Sequence, residues 1–122
     1  MATLRDLVVW QLAETLRAEV VALCAKPSIQ QQFKFRDQIL PAAASVAANI
    51  AEGYGRASHA DFARFLGVAI GSLRETETWL RDGVDRKFWS DDDAEAALLL
   101  CKRLTVGLNR LRAYLRSTPT PP

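Results

Sequence analysis

The spacing of the apolar residues limits the possible folds of this sequence more than any other feature. They recur every three or four positions along almost the whole chain, and no segment shows the strict alternation of a half-buried strand. This spacing predicts amphipathic helices and offers no segment from which to build a sheet. We therefore expect an all-α protein.

Capping and breaking residues divide the pattern into four helical stretches. The predicted helices span about residues 4–25, 33–52 and 58–84, and a fourth begins at Ser90 and runs to about residue 117. Four helices of this length with short links favour an antiparallel up-down-up-down four-helix bundle. We expect one domain over residues 1–117 and a disordered, proline-rich tail over residues 118–122.

Several local signals predict where these helices start, bend and stop. The segment Gly53-Tyr54-Gly55 predicts a left-handed glycine cap, and Asp82-Gly83 predicts the exit from the third helix. Ser58, with Asp61 three residues later, is typical of a helix N-cap. Ser90, followed by three aspartates, predicts the next one. Pro41 predicts either a kink or a helix that begins just before it.

Composition excludes several classes of protein. The chain has 122 residues and a formal charge of +2, and it has no apolar run long enough for a membrane helix, so we expect a cytoplasmic protein. Cys24 and Cys101 lie far apart among apolar neighbours. They are interpreted as buried free thiols, with a disulfide or redox role as the alternative.

The chain offers little for catalysis. His59 is the only histidine, which excludes a multi-histidine metal site, and it lies at a predicted helix start, apart from both cysteines. We expect no catalytic site, cofactor or metal. Glu77 falls inside an apolar arc of the third helix, so we expect it to be buried and paired with a basic or amide group, for example Asn49 or Arg56, in preference to a role as an enzymatic acid. An exposed Glu77 is the alternative.

The glycine-rich corner before the third helix has two interpretations. Glycines free backbone amides and Arg56 adds a positive charge, which together are typical of an anion-binding nest. The segment follows a helix, however, and matches no known phosphate-binding motif. A simple helix-to-helix corner is therefore favoured, and a phosphate site is the alternative.

Charge is distributed unevenly along the chain. Residues 75–95 contain eight acids and three bases, whereas residues 102–116 contain five bases and no acid. Arg103 and Arg110 are seven residues apart and lie on one face of the last helix, and Arg112 and Arg116 are four apart and lie on another. The candidate nucleic-acid contacts are Arg103, Arg110, Arg112 and Arg116, with Arg36, Arg56 and Arg64 as weaker candidates. A solvated helix face with no ligand is the alternative.

Five segments together resemble the four-helix-bundle family of 23S rRNA intervening-sequence proteins. They are NIAEGYGRAS at residues 49–58, F-x-x-FL from Phe62, GSL-x-E-x-ET from Gly71, DLVVW from Asp6 and QI at Gln38. The likeness covers about residues 6–115. It implies a small antiparallel bundle that assembles into a ring, commonly a homopentamer. Related bundles serve diversity-generating retroelements as accessory proteins that engage a reverse transcriptase and nucleic acid.

The resemblance also implies roles for individual residues. The family's polar positions map onto Asn49, Glu52, Arg56 and Glu77, which are interpreted as a polar network at the corner or a subunit contact. Two departures are visible. Family members often have two basic residues directly after the Gln-Ile pair and a proline later in that helix, whereas this chain has Leu40-Pro41 at the first place and Ala47 at the second.

Residues left over from one core face favour self-association. Trp10, Val21 and the small-residue seam with Gly67 and Gly71 exceed what a single bundle needs. The sequence therefore predicts a non-enzymatic homo-oligomer associated with RNA or DNA. A protein-binding scaffold without nucleic-acid affinity is the alternative.

Overall fold

The computed structural model describes residues 2–122. A short 3-10 turn, Leu4–Asp6, precedes four helices, which are α1 (Val8–Cys24), α2 (Phe33–Tyr54), α3 (His59–Asp85) and α4 (Asp91–Ser117). The described residues contain no strand. The prediction of an all-α protein is therefore confirmed, and the predicted helix bounds differ from the observed ones mainly at the start of α1.

The helices form the predicted antiparallel bundle. Each helix packs against the helices next to it in the chain, and α1 also packs against α4. At one end, the Ser28 hydroxyl after α1 donates to the Phe88 carbonyl before α4, and Lys26 pairs with Asp93. At the other end, His59 hydrogen-bonds Thr118. These contacts place neighbouring helix ends together in the up-down-up-down order.

One continuous core runs along the bundle axis. It is built almost entirely from aliphatic side chains and alanines, including Leu16, Ile39, Leu73 and Leu108. In α1 the buried stripe begins at Val9, whereas the neighbouring Val8 is 60% exposed. The 3-10 turn Leu4–Asp6 and the extended backbone of Leu7 set the start of α1.

Aromatic residues close one end of the bundle. The ring of Phe35 makes edge contacts with Trp79, Phe88 and Trp89 at centroid distances of 5.0–5.9 Å. Trp89 is only 4% exposed, and its indole N–H donates to the Leu80 carbonyl at 3.0 Å. Because that donor is satisfied, the indole is buried without a desolvation penalty for its polar atom.

Two predictions concern the α2 helix. It begins at Phe33 and continues through Pro41, which excludes a start just before the proline, and the alternative of a kink at Pro41 stays a prediction. No glycine within residues 2–122 has a positive φ, and Gly55 ends α2 at φ −77°, ψ −3°, so the left-handed cap predicted there is wrong. Gly53 instead lies against α3, where a Cβ would come within 2.8 Å of Phe62 and Phe65. Close helix packing, and not turn conformation, requires that glycine.

The end of α3 is also set differently from the prediction. Gly83 is helical and buried beneath the Trp89 indole, and the chain leaves the helix four residues later at Lys87, which has φ 63°. The amide of Phe88 donates to the Gly83 carbonyl and that of Lys87 to Val84, which together form a Schellman motif. A lysine therefore occupies the left-handed position that a glycine usually takes.

Both predicted serine caps are confirmed. The Ser58 hydroxyl accepts from the Asp61 amide at 3.1 Å. At α4, Ser90 and Asp93 form a reciprocal capping box, with hydrogen bonds of 3.0 and 3.1 Å. Hydrogen bonds from the backbone and side chain of Ser90 lower the pKa of the Asp93 carboxyl.

Candidate nucleic-acid interface

The C-terminal part of α4 carries a surface that we call the basic half of α4. It consists of Lys102, Arg103, Arg110, Arg112 and Arg116. All but Arg112 are exposed. Arg112 leans towards α3, where its guanidinium lies 3.4 Å from the position of a Cβ on Gly67, and it also donates to Asn109. The cations therefore extend along α4 and across to α3.

The ion pairs of the described residues leave this surface unneutralised. They join Lys26 to Asp93, Arg56 to Glu52 and Asp61, and three arginines of α3 and its end to nearby acids. Within residues 2–122, no ion pair includes a member of the basic half of α4. Its positive charge is thus available to an external anion, at no cost of breaking an internal pair.

Arg56 is placed differently from these cations. Its guanidinium pairs with Glu52 at 2.8 Å and with Asp61 at 3.7 Å, and it stacks over the ring of Phe65 at 4.8 Å. Arg64 covers the same ring at 4.4 Å and also binds Asp61. These contacts tie the end of α2 to the first turns of α3. They use the charge of Arg56 to hold the helix corner.

The predicted polar network of four residues does not form within the chain. Glu52 and Arg56 pair as expected, but the Asn49 amide donates to the backbone and side chain of Ser45 on its own helix. Glu77 is half-buried, with 35% of its side chain exposed, and pairs with Arg81 one turn later at 3.0 Å. Glu77 therefore pairs with a basic group, as predicted, but the suggested partners Asn49 and Arg56 and the full burial are wrong, because Glu77 lies on the side of α3 that faces the edge of α4. A subunit contact through these residues stays a prediction.

Sequence reasoning missed an aromatic pair beside the basic half of α4. The Tyr114 ring is 56% exposed and lies 6.1 Å from the His59 imidazole, with an angle of 47° between the planes. His59 is itself held by the end of the chain. Its Nδ1 bonds the Thr118 carbonyl, and its backbone N–H donates to the Thr120 hydroxyl, both at 2.8 Å. No local signal in the sequence joins residues this far apart.

The remaining reactive groups are buried. Both cysteines are free and buried, as predicted. Desolvation raises the pKa of Cys24, and it raises that of Cys101 to about 12, so neither thiol is an activated nucleophile.

Within residues 2–122, no group of three or more His, Cys, Asp or Glu side chains is arranged to hold a metal ion. No helix in this part of the chain is long and apolar enough to cross a membrane.

An open groove lies between α3 and α4. It has a volume of about 810 Å³ and combines exposed apolar side chains, among them Leu99 and Val106, with a rim of both charge signs. Glu77 and Arg81 lie at this rim, where they bind each other. The groove is open and mixed in charge, and no set of converging polar groups singles out a small ligand.

The fold and its charges define a class of protein: a small antiparallel four-helix bundle with an unpaired basic surface on its last helix. A family model described as 23S rRNA-intervening sequence protein matches residues 5–110. The chain belongs to this family. Arg103 and Arg110 lie within the matched segment, whereas Arg112, Tyr114 and Arg116 follow it.

A solved structure has the same fold. It is a protein of unknown function from the S23 ribosomal protein family of Bacteroides thetaiotaomicron, with a TM-score of 0.78 and 23% sequence identity. The superposition covers 85% of this chain and 97% of that one. At this identity the likeness shows the fold alone. No curated protein matches this chain.

Proposed function

We propose that this protein is a non-enzymatic, homo-oligomeric accessory protein that contacts the backbone of RNA or DNA through the basic half of α4. The observation that carries the proposal is a run of five cations without an intervening acid, none of them neutralised by an ion pair within residues 2–122. Lysine and arginine side chains gain affinity for nucleic acid by replacing counterions at phosphates.

Membership of the intervening-sequence family supports the choice of nucleic acid over another polyanion. The family name refers to an intervening sequence of 23S rRNA, and this association favours RNA or DNA as the partner. The two buried thiols and the hydrogen-bonded His59 imidazole favour a binding function over a catalytic one.

Self-association is supported by apolar surface that the single chain leaves uncovered. Val21 is 51% exposed and Val68 47%, and a Cβ on Gly71, three residues after Val68, would meet no atom within 4 Å. A ring of copies, pentameric as the family resemblance implies, covers such surface and repeats the basic half of α4 around its circumference. Light scattering after gel filtration tests this part, and a monomer at micromolar concentration overturns it.

Salt-dependent binding tests the nucleic-acid part. Fluorescence anisotropy with labelled RNA is measured over a range of salt for the wild type and for Arg103→Gln/Arg110→Gln. Because each phosphate contact contributes about 0.7–0.9 to the slope of log K against log salt, the double variant lowers the magnitude of the slope by about 1.4–1.8 for each subunit that contacts the RNA.

The matched control is Arg17→Gln/Arg74→Gln, which removes two exposed arginines from α1 and α3 that have no ion pair within residues 2–122. This control loses the same net charge as Arg103→Gln/Arg110→Gln, and we expect its slope of log K against log salt to stay close to that of the wild type. Absence of binding at low salt overturns the proposal and favours the protein-binding scaffold, for which the α3–α4 groove is the available surface. Equal effects of the two double variants overturn the assignment to α4.

A further inference from the structure

Three exposed side chains of α4 lie in one line. Arg103, Arg110 and Tyr114 are separated by seven and four residues, which at about 100° per residue keeps them within an arc of about 40°. The rise of about 1.5 Å per residue places Tyr114 about 6 Å along the axis from Arg110. A cation and an aromatic ring one helical turn apart present a phosphate contact and a stacking surface side by side.

The Tyr114 ring is both accessible and supported. It is 56% exposed, and its hydroxyl has no hydrogen-bond partner within residues 2–122. The His59 imidazole lies at its side with a centroid distance of 6.1 Å. Support by a fixed neighbour restricts the rotamers of Tyr114, so less conformational entropy is lost when a ligand covers the ring.

The support is fixed by the end of the chain. Thr118 and Thr120 each bind His59 at 2.8 Å, one through the imidazole Nδ1 and the other through the backbone N–H. The contact spans about 60 residues of sequence, so it is a tertiary arrangement and not a consequence of local helix geometry. This tertiary contact favours a binding function for Tyr114 over that of a side chain that is merely solvated.

We propose that this line binds single-stranded nucleic acid, with an unpaired base stacked on Tyr114 and the adjoining backbone held by Arg110 and Arg103. The inference rests on the proposed function and adds the class of nucleic acid. Bases stack on aromatic side chains only when they are free of a duplex, whose own stacking hides their faces. Arginine side chains can contact the phosphates of a duplex and of a single strand. The exposed Tyr114 ring is therefore the group that distinguishes a single strand from a duplex.

Charge favours this ligand over a protein surface. Tyrosine and arginine are also common at protein interfaces. Here, however, α4 carries no acid from residue 96 to its end at Ser117. Protein interfaces usually combine charges of both signs, which orient the partner, and this line has only positive charges. A repeated negative backbone with exposed bases fits the uniform charge and the single ring.

The test compares two probes and three variants. The probes are a labelled oligo-uridine of about 12 nucleotides and an RNA duplex of the same length, a size within the range that single-strand sites cover. Tyr114→Leu removes the ring and keeps an apolar side chain, Tyr114→Phe keeps the ring, and Phe33→Leu removes a 59% exposed ring from the opposite end of the bundle. Thermal unfolding followed by circular dichroism checks that each variant is folded.

We expect Tyr114→Leu to weaken binding of the single strand by about 5-fold or more, a loss in the range of one base stack, and to leave binding of the duplex within 2-fold or so. Tyr114→Phe and Phe33→Leu bind both probes as the wild type does. If Tyr114→Leu weakens both probes equally, or neither, the stacking inference is overturned while the proposed function stands. If the wild type binds neither probe at low salt, the proposed function itself fails.

Discussion

Replacing Gly83 by alanine tests the packing at the end of α3. A Cβ at this position would lie less than 3.0 Å from three atoms of the Trp89 indole, so the ring must move. Overpacking of this kind costs about 1–3 kcal/mol. Movement also breaks the hydrogen bond from the indole N–H to the Leu80 carbonyl, and a buried donor without a partner costs about 1–3 kcal/mol.

The gain in helix propensity offsets part of this cost. Alanine is favoured over glycine in a helix by about 1 kcal/mol, which leaves a net loss of about 1–5 kcal/mol in the free energy of unfolding. For a domain of this size we expect the melting temperature to fall by about 10 °C at the middle of that range. Thermal unfolding followed by circular dichroism and by tryptophan fluorescence, at one fixed protein concentration, measures it.

The matched control is Gly55→Ala. Gly55 has an ordinary helical conformation, and its added Cβ would meet no atom closer than 3.7 Å, so this variant is stabilised by about 0.4–1 kcal/mol through the unfolded chain. The two glycine substitutions thus change stability in opposite directions. A Gly83→Ala protein as stable as the wild type would refute the close contact with Trp89. A destabilised Gly55→Ala protein would indicate a left-handed cap after all.

Three further predictions follow from single residues. Lys87 has φ 63°, so Lys87→Gly raises the free energy of unfolding by about 1 kcal/mol in denaturant titrations, and a loss would contradict that backbone conformation. Glu77 makes one partly exposed ion pair with Arg81, so Glu77→Ala lowers stability by less than about 1 kcal/mol, and a loss several times larger would restore the buried, paired interpretation. Burial raises the pKa of Cys101 from 9.0 to about 12, so its thiol ionises first in the unfolded chain and stability falls as the pH rises from 9 towards 12. The free energy of unfolding is measured against pH for the wild type and for Cys101→Ala, and the difference between the two slopes is the contribution of the thiol. Identical slopes would show that the thiol is accessible.

The basic half of α4 could be predicted from the sequence because charge composition and helical spacing are local properties. The number of helices, the caps at Ser58 and Ser90 and the burial of both cysteines were predictable for the same reason. Apolar periodicity and short-range hydrogen bonds fix each of them within a few residues of chain.

Only the tertiary structure decided which residues meet across the bundle. The sequence pattern assigned Gly55 and Gly83 to turns, but packing against Trp89 explains Gly83, and Lys87 takes the left-handed turn. The burial of Glu77 could not be predicted, because it depends on how α3 is rotated against α4, whereas its ion pair with Arg81, four residues later on the same helix, is a local contact. The support of Tyr114 by His59 likewise exists only once the end of the chain returns to the start of α3. Local rules fix the helices, whereas contacts between distant residues depend on helix rotation and close packing, which no local pattern encodes.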